Sequence, residues 1–357
     1  METIIKKAGY HNMSFLKTLP GILFCALIGG VLTLSGLPMA LMFGPILVVI
    51  IAYRFKWELA VPKHTLTFIQ LTLGTSVGLM FNQVHLGSAD NLIILLLTLV
   101  VCLAIQFFVS YFWFHRHIGW TKEESMLGAV PGAMAAILAL TDHTKTPPQK
   151  IVISHTIRLM VLIILAGFIV GADKANMPEF SIPEMTVISL LWLLLIVILG
   201  LGSGLLLQKI RFPAPFMLTS LGSAILVQSF VSESIAFPML LNELSMVLIG
   251  MNIGAHFVVF PLSSLIRNAF SSVQVVIINV ILTVIVAYGA AYLTGVPWAT
   301  LVLAWAPGSM EAMTFAAITM NVDAAFVMSN HIFRMLIIQS IPSVALYWNE
   351  YRQKKNN

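Results

Sequence analysis

The sequence predicts an all-α integral membrane protein with about ten transmembrane helices and two re-entrant Pro-Gly hairpins, arranged as two inverted-topology repeats. Three observations predict it. The first is composition: of 357 residues, 59% are hydrophobic and 9% charged, with a mean hydropathy of +0.96, whereas soluble domains carry about 25% charged residues. The second is an internal duplication: a constant offset of 176 residues carries His155-Thr156-Ile157-Arg158 onto His331-Ile332-Phe333-Arg334. It also carries Pro131-Gly132 onto Pro307-Gly308, Gly119 onto Gly295, Gly74 onto Gly250 and Gly78 onto Gly254. The third is the distribution of Lys and Arg along the chain.

Ten apolar runs approach the roughly 20 residues that span a bilayer core: 15–35, 37–53, 65–83, 91–114, 150–171, 185–208, 213–231, 240–260, 268–293 and 325–348. The first follows Lys6, Lys7 and Lys17, but no small-residue cleavage pattern follows it, so it reads as a retained helix rather than a secretory signal. Cys25 and Cys102 fall inside predicted spans, which argues against a disulfide framework. Two further apolar stretches, 121–142 and 298–320, are interrupted by Pro131-Gly132 and Pro307-Gly308.

Short cytoplasmic loops are enriched in Lys and Arg, and this orients the chain. Lys6, Lys7 and Lys17, then Arg54, Lys56 and Lys63, then Arg116 and Lys122 belong inside, as do Lys209, Arg211, Arg267, Arg352, Lys354 and Lys355. The linker 172–184, with Asp173, Glu179 and Glu184 against Lys174, and the segment 232–243, with Glu233 and Glu243, belong outside. That pattern holds only if 121–142 and 298–320 dip into the membrane and return. Each half, 1–171 and 185–357, then has five helices and one hairpin; five crossings being odd, the second half is inverted. Both termini are expected in the cytoplasm, and the protein in the inner membrane. Inverted repeats with broken helices meeting at the midplane are the architecture of secondary transporters.

The breaks are where chemistry is expected. Proline removes a backbone donor and disfavours helix before it, while glycine tolerates conformations other residues resist. The helix opened by Thr121 and Glu124, a capping-box pair, should stop near Pro131. Groups freed there cannot face lipid, and a helix restarting after the glycine presents positive amides at membrane depth. An arginine in hydrocarbon costs roughly 2.5 kcal/mol or more and marks a functional site by default. Arg158 lies about 12 Å in from Lys150, and Arg334 about 16 Å in from Asp323, counting 1.5 Å per helical residue. His155 and His331 share their faces, and Glu311 stands beside the second break where the first repeat has Ala135. Two readings stay open: an anion site, for a carboxylate, built from both bases and both helix ends with Ser309 beside them, or arginines that only tie the carbonyls freed in the opposite hairpin. Gly74, Gly78, Gly250 and Gly254 form small-xxx-small faces suited to close helix packing.

Other classes fit poorly. No His, Cys or carboxylate cluster suggests a metal or a cofactor, so an enzyme is not expected. The net charge of +5 is scattered among short loops rather than gathered on a face, which argues against nucleic acid. The expected partners are a small anionic solute, H+ or Na+ as coupling ion, and membrane lipid, with a homodimer left open.

Pro-Gly-x-Met in each half (Pro131-Gly132-Ala133-Met134, Pro307-Gly308-Ser309-Met310), followed about twenty residues later by His-x-x-Arg, resembles the bacterial AbrB membrane family from about residue 15 to 350. Members are labelled ammonia monooxygenase or regulator, and their fold is similar to the cation/proton antiporter and anion transporter superfamily. The resemblance implies a transporter, or a membrane-embedded sensor that affects gene expression indirectly. Members commonly carry Pro-Gly-Gly with a nearby Glu; here the acid is present only as Glu311.

Overall fold

A computed structural model describes residues 15–81, 89–130, 149–172, 186–258 and 262–337, apart from single positions 38, 58, 60, 63, 211, 213, 232 and 321. Among these residues every regular element is an α-helix, and the helices follow the apolar runs. They are α1 (Phe15–Leu34), α2 (Ala40–Arg54), α3 (Thr65–Met80), α4 (Ala89–Arg116), α5 (Lys122–Ala129), α6 (Gln149–Ala172), α7 (Val187–Lys209) and α8 (Pro215–Phe230). Then come α9 (Met239–Val258), α10 (Leu262–Thr294), α11 (Trp298–Trp305) and α12 (Met310–Thr319), and α13 (Ala324–Ile337).

Within α4, α7 and α10 the stretches Ile93–Arg116, Val187–Lys209 and Asn268–Thr294 are long and apolar enough to cross a membrane. Helices α2, α3, α8 and α13 are apolar but shorter than a full span. On α7 the outward residues are bare hydrocarbon: Val187, Ile188, Leu191 and Leu206 are all exposed, which in water would be a large unpaired apolar surface. In a bilayer it faces lipid; the chain is a membrane protein.

The chain folds into two compact units, and each takes segments from both sequence halves. One comprises Met1–His85, Ile164–Leu262 and Glu311–Met328; the other comprises Leu86–Ile163, Ser263–Met310 and Ser329–Asn357. In the first unit, α3 packs on α8 and α9 packs on α2. The glycines make this possible. A Cβ on Gly78 would come within 2.6 Å of Ala224 Cβ and 2.7 Å of the Leu221 carbonyl, and one on Gly254 within 2.9 Å of Val49 Cβ. Hydrogen at these positions lets backbones approach where lipid supplies no hydrophobic drive between helices. The two contacts are reciprocal: α8 is the offset counterpart of α2, and α9 that of α3. Polar side chains in this unit find local partners, as when Asn242 donates to Ser76 Oγ at 3.0 Å and Thr219 to the Gly200 carbonyl at 2.7 Å.

In the second unit α4 and α10 cross with antiparallel directions: Gln106 Nε2 donates to Thr283 Oγ1 at 2.8 Å, while Asn279 Nδ2 donates to Ser110 Oγ at 2.8 Å. As numbers rise along α4 they fall along α10. These two helices are also offset counterparts, and both end in the same kind of turn, with left-handed Gly119 (φ 75°) after α4 and Gly295 (φ 74°) after α10. Only glycine takes that conformation without a steric cost.

Helix α5 begins as expected. Glu124 N–H donates to Thr121 Oγ1 at 3.2 Å and Thr121 N–H to Glu124 Oε2 at 3.0 Å, a complete capping box. Lys150, at the start of α6, reaches Glu124 Oε1 at 3.4 Å. Burial pushes the Glu124 carboxyl up, but the Thr121 N–H and the Lys150 ammonium outweigh it, and the group is held below its ordinary value of 4.5. A carboxylate lowered in the folded state stabilises above its unfolded pKa, and that stabilisation is lost as pH falls through the folded one. Glu124→Gln should therefore cost about 1 kcal/mol at neutral pH, and the gap between mutant and parent melting temperatures should close as pH drops below 4.5. A gap that persists in acid would mean that neither cap nor ion pair depends on the charge.

Candidate functional site

The second break lies within the described residues. Helix α11 stops at Trp305, Ala306 turns extended (φ −57°, ψ 137°), and the helix restarts at Met310. Pro307 and Gly308 are buried, and Ser309 and Glu311 are half-buried. A helix end leaves up to four carbonyls without intrahelical partners, and this one satisfies nearly all of them in a fixed way. Val302 O accepts from Ala306 N–H at 2.8 Å. Leu303 O accepts from His331 Nε2 at 2.9 Å. Trp305 O accepts from Gln106 Nε2 at 3.2 Å. Ala306 O accepts from Arg334 Nη1, and Gly308 O from Arg334 Nη2 at 2.8 Å. The indole Nε1–H of Trp305 donates to Asn330 Oδ1 at 3.3 Å.

The first break repeats the arrangement. Helix α5 ends at Ala129, and Val130 is extended (φ −65°, ψ 118°). His155 Nε2 meets Leu127 O at 3.4 Å, and Arg158 Nη2 donates to Val130 O at 3.4 Å. Each of the four pairs, Leu127–His155, Val130–Arg158, Leu303–His331 and Ala306–Arg334, is separated by 28 residues. One clamp is built twice. A cation at a helix C-terminus also faces the negative end of the helix dipole, which offsets part of the cost of burying it. Pro131 and Gly132, with the rest of the first hairpin, lie outside the described residues.

The ties settle which hairpin each arginine serves. The second of the two sequence readings had the arginines tie carbonyls of the opposite hairpin; each guanidinium instead grips the break of its own repeat. The clamps also differ in completeness. Among the described residues, Arg334 spends both terminal nitrogens on carbonyls, while Arg158 makes one long carbonyl bond and a contact with His155 Nδ1. Since arginine can only donate, His155 Nδ1 accepts there, and its Nε2–H donates to Leu127 O. Among the described residues, Nε of both arginines has no partner. The two guanidiniums lie within electrostatic reach of each other.

Of the remaining expected site residues, Glu311 falls in the first turn of α12, where a carboxylate complements the positive helix end. Gly74, Gly78, Gly250 and Gly254 sit in helix contacts rather than near either break. Gln106 was singled out in the sequence only as a polar group in need of a partner. It is 1% exposed and holds the carbonyl next to those held by Arg334. The signal that could have found it is the stripe Cys102, Gln106, Ser110 at four-residue spacing on an otherwise apolar span.

The profile of a family described as "Transition state regulatory protein AbrB" matches residues 41–350. The chain is also 21% identical to the uncharacterized protein YhjN of Bacillus subtilis (strain 168), an alignment that covers 96% of each protein.

Proposed function

From the premise that this chain belongs to the AbrB family, we propose that it is a secondary-transporter-like protein of the inner membrane that moves a small anionic solute, a carboxylate, through a site at the broken helices. The observation that carries this is the doubled clamp: two guanidiniums buried at helix breaks, each with its Nε–H unmatched, offer charge-assisted donors in a low-dielectric setting. Supporting the inverted-repeat architecture are the antiparallel crossing of counterpart helices α4 and α10 and the reciprocal glycine contacts. In this reading the broken stretches are re-entrant, H+ or Na+ drives the cycle, and Arg158, Arg334, His155, His331 and Ser309 with Glu311 serve the solute. The family's description as a regulatory protein supports a second reading: a membrane-embedded sensor that binds the same solute without moving it.

Purified protein in liposomes, supplied with labelled carboxylates under an imposed pH or sodium gradient, separates the two. Accumulation is expected for a transporter; saturable binding with no gradient-dependent uptake would leave the sensor. The topology has its own test. Reporters at 145 and at 209–211 should label from the cytoplasm and tags at 176 and 233 from outside; periplasmic labelling at 145 would overturn the re-entrant reading of the first hairpin and the inversion with it.

A further inference from the structure

The polar atoms left unmatched around the second break are of two kinds. Arg334 Nε–H is a charged donor without an acceptor. His331 is fixed in one tautomer, because Leu303 O can only accept and so Nε2 carries the proton; in the neutral ring Nδ1 is then an acceptor, and it too has no partner. Gln106 Oε1 is a second acceptor without a donor, its amide being oriented by Nε2–H bonds to Thr283 Oγ1 at 2.8 Å and Trp305 O at 3.2 Å. These three side chains grip one short stretch of backbone, the carbonyls of Leu303, Trp305, Ala306 and Gly308. All are buried: His331 is 0%, Arg334 1% and Gln106 1% exposed. A buried donor or acceptor left unmade costs roughly 1–3 kcal/mol, so a site that leaves acceptors beside its cation suits a ligand that supplies donors beside its negative charge.

We infer that the solute bound at the second break is a small carboxylate bearing an adjacent O–H donor, an α-hydroxy acid, its carboxylate on Arg334 and its hydroxyl donating to His331 Nδ1 or Gln106 Oε1. This deepens the proposed anion site and rests on it. A plain carboxylate satisfies the arginine but leaves both acceptors bare; an inorganic anion offers them little. An α-amino acid carries the right donors, yet its ammonium is more costly to desolvate than a hydroxyl when only neutral acceptors receive it. The three atoms are closed to solvent, so ligand entry requires the break to open.

The test is a thermal-shift titration of the detergent-purified full chain with propionate, lactate, alanine and inorganic phosphate. Lactate is expected to stabilise with a Kd at least ~10-fold lower than propionate, the smaller end of what a site built for a hydroxyl gives. Gln106→Leu and His331→Phe should each shrink that ratio. Equal affinity for propionate and lactate overturns the inference but leaves the anion site standing. Tighter binding of alanine than of lactate overturns the choice of hydroxyl. If no carboxylate shifts the melting temperature, the anion reading itself fails. Should either variant not fold, the lactate-to-propionate ratio of the parent protein still decides.

Discussion

Arg334→Ala should cost the protein its fold, while Arg158→Ala should leave a folded protein with reduced uptake of its solute. The difference follows from what each guanidinium holds. Arg334 satisfies the carbonyls of Ala306 and Gly308, and with roughly 1–3 kcal/mol lost per buried group left unmade, its removal should lower stability by ~2–5 kcal/mol, a large share of a typical 5–15. Among the described residues Arg158 has one carbonyl bond, at 3.4 Å, and a histidine contact, so the loss there should be nearer 1 kcal/mol. Lysine substitutions sharpen the contrast. An ammonium can rotate three donors toward carbonyls, so Arg334→Lys should recover much of the folding yield; it lacks the planar fork that engages a carboxylate, so uptake should stay low in Arg334→Lys and in Arg158→Lys alike. Melting temperature and proteoliposome uptake measured on the same four preparations check both halves. Equal loss of stability at the two positions would show the clamps to be equivalent and remove the division of labour.

Enlarging a glycine at the helix contacts should be the second large effect. At Gly74 a Cβ would meet Ser220 Oγ and the Met217 carbonyl, and at Gly250 the Met42 carbonyl. The carbonyls belong to backbone and cannot rotate away. Gly74→Ala and Gly250→Ala should therefore destabilise by ~1–3 kcal/mol, as overpacking does, and valine by more. Gly222, inside α8, has nothing within 4 Å of the same atom, so Gly222→Ala should be neutral or gain up to ~1 kcal/mol from better helix propensity. If Gly74→Ala melts like Gly222→Ala, α3 and α8 do not touch as described. Because α3 on α8 and α9 on α2 are reciprocal contacts within one unit, the alanine variants at Gly74 and Gly250 should cost similar amounts.

Much of this protein is written locally. Apolar runs gave most helix bounds to within three residues because spanning length is a one-dimensional property, although α10 starts six residues before its run and the end of the run 325–348 lies outside the described residues; the first-turn pair Thr121 and Glu124 gave the start of α5, and Pro307-Gly308 gave the interruption between Trp305 and Met310, since caps and breakers act on their own turn. The 176-residue offset singled out Arg158 and Arg334 with their histidines before any contact was known. What each arginine binds was decided only in three dimensions. Periodicity gives a face but not the neighbour it meets, and the opposite hairpin was as open as the near one until the 28-residue register placed each guanidinium on its own break. Gln106 is the plainest case. The stripe Cys102, Gln106, Ser110 marks a polar face on α4 but not what that face meets, and the role of Gln106 comes from α10 and α11 arriving beside it from residues 177 and 199 positions away. The sequence by itself determined where helices form, where they break and which buried charges the chain carries; the tertiary structure alone decided which backbone groups those charges satisfy, because a hydrogen bond needs its partner within about 3 Å and chain position does not fix that distance.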